Sequence, residues 1–211
     1  MKSLSPEKYK TIITLLLFHA AILMWYLMFV VKPFNFWIMM SITTLILMIF
    51  SFILEYPVFK KEDWNIKNIT IGLVSAAVLY MIFWTGNEMT RMVFPEKLTQ
   101  VREIYSNRLE MHPYIVAVLL FFPIGMGEEI FWRGYLQKYY SKKFGEKAAL
   151  FLIITGYIAV HLSSGNLMLI LSAGICGIFW GLMFYFTKSV VPGIISHMVW
   201  DPVIFVILPI Q

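Results

Sequence analysis

Residues 113–136, PYIVAVLLFFPIGMGEEIFWRGYL, decide how this chain folds. The run is long and apolar enough to cross a bilayer, for which about 20 residues suffice. Yet it carries Glu128, Glu129 and Arg133. An ionisable group near the bilayer centre costs at least ~2.5–3.5 kcal/mol, so such groups are rare there and usually face a functional cavity. Further along, His161, His197 and Asp201 sit in apolar stretches of the same kind, and so does His19 near the start of the chain. These costly side chains, most of them in three short groups, need a physical explanation.

The rest of the sequence supports a membrane reading. Hydrophobic residues make up 60% and charged residues 14% of the chain, against ~25% charged in soluble domains. Mean hydropathy is +0.76. Apolar runs predict spans near 11–31, 34–54, 69–86, 113–136, 148–163, 167–186 and 189–208, a polytopic all-α bundle of about seven transmembrane helices. The first run is too long for a signal-peptide core and has no A-x-A cleavage site, so it reads as an uncleaved helix. The single cysteine, Cys176, excludes an intramolecular disulfide.

The basic residues of this chain of net charge +5 are scattered between apolar runs, which points to orientation against a lipid bilayer and not to nucleic acid. Placing the N-terminus inside puts Lys2, Lys8, Lys10, Lys60, Lys61, Lys67, Arg133, Lys138, Lys142, Lys143, Lys147 and Lys188 in inner segments. This asymmetry predicts a cytoplasmic N-terminus and an odd number of spans. The long connection 87–112 repeats Leu98, Val101, Tyr105 and Leu109 at helical spacing beside Arg102, Glu103 and Arg108. It reads as an amphipathic interfacial helix, a lid or docking element or else a plain connector. Ala173, Gly177 and Gly181 form a small-residue stripe suited to close helix packing.

Helical spacing sorts the buried charges. Glu129 and Arg133 are four apart and share a helix face, so they read as a supporting ion pair. Glu128 projects about 100° away and finds no partner on its own helix. Pro123, Gly125 and Gly127 disturb the helix just before it. His197 and Asp201 are again one turn apart. With Lys138, Lys147 and Lys188 marking the inner surface and ~1.5 Å of rise per residue, Glu128 and His197 lie roughly 15 Å deep, and Asp201 and His161 roughly 20 Å. Matched depth lets three helices present Glu128, His161, His197 and Asp201 to one site. His19, alone in its span, reads as a packing residue, and His112, before Pro113, as a surface residue.

A carboxylate and an imidazole around a water can activate it for attack on a carbonyl, while a second polar pair stabilises the oxyanion. Alternatively, Glu128, His161 and His197 would ligate zinc, three protein ligands plus water being the catalytic pattern. Serine chemistry is less suited: Ser163 and Ser164 lack a G-x-S-x-G setting, and Ser196 points to another face than His197. Two non-hydrolytic readings compete: a membrane regulator that binds a partner, and a proton-coupled transporter, although no repeated half is visible.

The chain resembles the CPBP family (CAAX protease and bacteriocin-processing, or Abi) of intramembrane proteases. The E-E-x-x-x-R element matches Glu128, Glu129 and Arg133; the aromatic-x-x-x-H element matches Tyr157 and His161, with Tyr where Phe is more usual; H-x-x-x-N/D matches His197 and Asp201. The resemblance implies a single transmembrane domain over 1–211, with a catalytic core at about 113–208 enclosing a polar cavity. It implies an endopeptidase, of glutamate or metallo type, acting on a membrane-associated peptide or protein. Glu128 and His161 would then activate water, and His197 and Asp201 would bind the oxyanion. Asp201 stands where eukaryotic relatives carry Asn and would donate only when protonated. The small size and basic inner loops are of a bacterial kind, which favours a pheromone, bacteriocin or small membrane peptide over a prenylated substrate. A bacteriocin self-immunity protein of the same fold is the non-catalytic alternative.

Overall fold

The computed structural model of the chain describes residues 5–210. Lys2 lies outside the described residues. Every regular element described is helical. In chain order these are α1 (Pro6–Val31), α2 (Phe36–Leu54), α3 (Ile66–Val93), α4 (Leu98–Ser106), α5 (Pro113–Phe144), α6 (Glu146–Ser164), α7 (Leu167–Thr187) and α8 (Val191–Ile207). Six helices are long and apolar enough to cross a membrane, and α8 is apolar but shorter. With α8 counted as a pass, the seven expected segments are all helical.

Local chemistry sets the helix ends. Ser5, Asn35, Asn65 and Asn166 each turn a side-chain oxygen onto backbone N–H groups in the first turn of α1, α2, α3 and α7. Such caps satisfy donors that a helix start leaves open. Pro6, Pro113 and Pro192 sit in first turns, where the missing N–H costs nothing. Gly145 ends α5 at φ +84°, a conformation open to glycine, and the chain reverses directly into α6.

Helix α5 is the hub. It packs against α2, α6, α7 and α8, while α3 lies along α8 and α1 bridges α2 and α6. All residues from Ile130 to Gln137 are buried. At Phe122 the chain leaves the helical conformation (φ −150°, ψ 127°) before resuming, as the Pro123 and glycine pattern predicts.

Contacts between helix ends define two faces. On the first, Lys10 reaches Glu55 at 2.8 Å, Lys142 binds the same carboxylate, and Lys188 pairs with Glu146 at 2.6 Å. On the second, the Trp37 indole donates to the Asn107 carbonyl at 2.8 Å, and the Asn166 amide donates to that of Gln100 at 2.9 Å. The start of α1 lies on the first face and the end of α8 on the second, as an odd number of passes requires. Of the basic residues assigned to inner segments, Lys10, Lys60, Lys138, Lys142 and Lys188 gather on the first face, whereas Arg133 is a correction: it is fully buried in the bundle. It answers to Glu129, not to the membrane surface.

Residues 98–106 of the long connection form the expected amphipathic helix, which rests on α7. His19 departs from expectation. It is exposed on α1, and its Nδ1 meets the Leu15 carbonyl of its own helix at 2.7 Å. A ring satisfied by its own backbone needs no partner helix. His112 stacks on Tyr114 at the surface.

Candidate active site

The break at Phe122 and the fully buried segment that follows it bring Glu128 and Glu129 into the centre of the bundle. Glu129 is fully buried, and its Oε1 accepts from Arg133 Nη1 at 2.8 Å. The same oxygen lies 3.1 Å from His197 Nδ1 on α8. The supporting pair expected from spacing is therefore present and extends to a third residue. His197 Nε2 faces Asp201 Oδ2 at 3.3 Å, a long contact for a hydrogen bond. Trp180 of α7 stacks flat on the His197 ring, centroids 3.8 Å apart, and its indole N–H donates to Ser196.

Arg133 gains further acceptors from α7: its Nη2 reaches the carbonyl of Gly177 at 3.3 Å. Its guanidinium also lies over the Tyr157 ring at 4.9 Å. The small-residue stripe thus does more than allow close approach. Without side chains to cover them, its carbonyls are open to a buried cation, and the Gly181 carbonyl serves Gln137 in the same way at 3.0 Å. On α8, a Cβ at Gly193 would stand 2.8 Å from Glu129 Oε2, so glycine there makes room for the carboxylate.

Glu128 finds its partner on α6. The Tyr157 hydroxyl donates to Glu128 Oε2 at 2.5 Å. One turn on, His161 Nδ1 lies 2.7 Å from the Tyr157 carbonyl, and the Trp25 indole of α1 donates to His161 Nε2 at 3.4 Å. These neighbours select the tautomer with the proton on Nδ1 and the lone pair on Nε2. No hydrogen bond or ion pair joins Glu128 to His161 among the described residues; Tyr157 connects them.

All six residues expected at the site are therefore buried in one region, at the junction of α5, α6 and α8. Two chains of contacts run through it, Arg133–Glu129–His197–Asp201 and Glu128–Tyr157–His161–Trp25. Two cavities of the molecule open elsewhere, one beside Glu55 and one among the apolar side chains of α3 and α7.

A family model, that of the Rce1-like type II CAAX prenyl endopeptidases, matches residues 110–203. Residues 110–203 are thus similar to a family of CAAX-type membrane proteases, in line with the CPBP resemblance of the motifs. The match covers less than half of the chain but holds all six site residues, and at the family level it is to a protease of the membrane. Neither a curated protein nor a solved structure matches the chain. Trp25 comes from outside the matched residues.

Zinc ligation by Glu128, His161 and His197 does not fit this geometry. Both ring nitrogens of each histidine face protein partners, and no group of three His, Cys, Asp or Glu side chains among the described residues is arranged to hold a metal ion. Serine is engaged too: Ser196 accepts from Trp180, and Ser163 donates to the Val160 carbonyl.

Sequence reasoning missed the role of the Tyr157 hydroxyl and the parts played by Trp25 and Trp180. Tyr157 had a signal, one turn before His161 on the same helix. Trp25 had none, since it lies 136 residues from its partner.

Proposed function

We propose that the chain is an intramembrane endopeptidase that hydrolyses a peptide bond of a membrane-associated peptide or protein, with Glu128 and His161 activating water. One observation carries this reading. Among the described residues, Glu128 is the buried acid without a cationic partner: Glu55 has lysines, Glu129 has Arg133 and His197, and Asp201 has His197. A carboxylate held in the bundle by a hydroxyl alone keeps its capacity to accept a proton. The long Trp25 contact leaves the His161 lone pair open to competition from water.

In this reading water attacks the carbonyl carbon and gives a proton to Glu128. The oxyanion is met by the N–H of His197, whose contact with Asp201 is loose enough to be shared. The C–N bond then breaks, and the proton passes to the leaving amine. Zinc has no role in this scheme. The lysine-rich first face is cytoplasmic by the charge asymmetry of its loops, in a cell membrane of the bacterial kind. The substrate is a small membrane peptide of the pheromone or bacteriocin type.

Comparative peptidomics of membranes carrying wild type or Glu128→Ala tests the reading. A peptide released only by wild type is expected, and reconstituted Glu128→Ala and His161→Ala should fail to cleave its precursor. Full cleavage by either variant sinks the reading.

A second reading, a non-catalytic membrane regulator or bacteriocin self-immunity protein, draws on the Trp25 contact, which occupies the lone pair that a base needs. A cellular phenotype retained by Glu128→Gln would select it.

A further inference from the structure

We propose that Tyr157 is the positioning residue of the site, one residue that sets both the Glu128 carboxylate and the His161 ring. This rests on the catalytic reading of Glu128 given above. The side chain of Tyr157 donates to Glu128 Oε2, and its backbone carbonyl faces His161 Nδ1. The first contact decides which carboxylate oxygen is left for water; Oε1 accepts no hydrogen bond among the described residues. The second fixes the proton on Nδ1 and turns the Nε2 lone pair away from the helix. Both members of the water-activating pair are thus oriented from a single Cα.

The ring has no freedom to seek another partner. Trp132 meets it edge-on at 5.3 Å and 89°, and Arg133 covers one face at 4.9 Å. Behind it, a Cβ at Gly177 would stand 3.4 Å from Tyr157 Cδ1, so α7 closes that side. With the ring so confined, its hydroxyl is committed to Glu128. A buried tyrosine hydroxyl usually finds some acceptor for stability alone. That ordinary role predicts a loss of stability on removal of the hydroxyl, with turnover intact. A positioning role predicts that turnover falls as well, because a carboxylate released from its rotamer spends less time in attack geometry, at a cost on the order of 10- to 100-fold in rate.

Tyr157→Phe keeps the ring and its packing. Wild type, Tyr157→Phe and Glu128→Gln would be reconstituted in liposomes and assayed on the labelled precursor of the peptide released only by wild type. The expected result is no cleavage by Glu128→Gln. For Tyr157→Phe, kcat falls about 10- to 100-fold, with KM within twofold. Wild-type kcat in Tyr157→Phe beside an inactive Glu128→Gln overturns the positioning role and leaves the catalytic reading standing. Cleavage by Glu128→Gln, or no precursor to assay, overturns both. If Tyr157→Phe fails to fold, infrared spectra of ring-labelled wild type and Glu128→Gln decide. A shift of the Tyr157 C–O stretch between them supports the commitment of the hydroxyl to Glu128, and an unmoved band overturns it.

Discussion

At the scale of the residue, Glu129 and Arg133 have to be settled before the site can exist. A lone carboxylate or guanidinium inside a bundle is costly; together they form a direct pair at 2.8 Å, with the Gly177 carbonyl and the Tyr157 ring completing the guanidinium's surroundings. Removing one member strands the other. Arg133→Leu is therefore expected to cost about 3–5 kcal/mol, read as lower resistance to a denaturing detergent. Adding Glu129→Leu should recover part of that loss, and strictly additive losses would show that the pair is not coupled. This pair was legible in the sequence because residues four apart share a helix face, and the same rule found His197 with Asp201. The contacts of Tyr157 with Glu128 and of Trp25 with His161 were not. Periodicity describes neighbours on one helix, whereas these bonds depend on how two helices are rotated against each other.

At the scale of the element, α4 has the least apolar material yet makes specific polar contacts. Tyr105 is buried, its hydroxyl donates to the Ile204 carbonyl at 2.9 Å, and Arg108, just beyond the helix, donates to that of Phe205 at 3.1 Å. These acceptors are carbonyls near the end of α8, where a helix leaves them without internal partners. Tyr105→Phe removes one such bond, worth about 0.5–1.5 kcal/mol net. Faster hydrogen exchange is expected at 98–106 and at 203–207 together, with the proposed cleavage unchanged if α4 is only a strut. Slowed cleavage would make α4 part of substrate handling. Helix ends were the least legible features. The apolar run predicted an end near 136 for α5, but the helix continues to Phe144. Hydropathy reports where hydrocarbon stops, and the α-helix persists into water wherever nothing breaks it. Here Gly145 does.

For the whole molecule, one carboxylate ties together the most elements on the first face. Glu55 receives Lys10 from α1 together with Lys138 and Lys142 from the end of α5, joining three elements that are distant in sequence. Because helices in lipid gain little from apolar burial against one another, polar clamps at their ends weigh more than similar contacts on a soluble surface. Burial of Glu55 opposes its charge, but hydrogen bonds from Lys10 and Lys142 and the charges of both outweigh it and hold the carboxyl below its ordinary value of 4.5. A carboxyl held low in the folded state contributes stability that is present above pH 4.5 and is lost as pH falls through the folded value. The lysines are partly exposed, so each pair contributes only about 0.2–1 kcal/mol. Glu55→Gln should therefore unfold modestly more easily than wild type at pH 7, and the gap should close as the pH is lowered below 4.5 towards 3. Titration of the unfolding midpoint of both proteins over that range measures it. A gap that persists unchanged at pH 3 would mean that Glu55 acts by shape and not by charge, and the lysines would then be left to orient the bundle against the membrane rather than to clamp it.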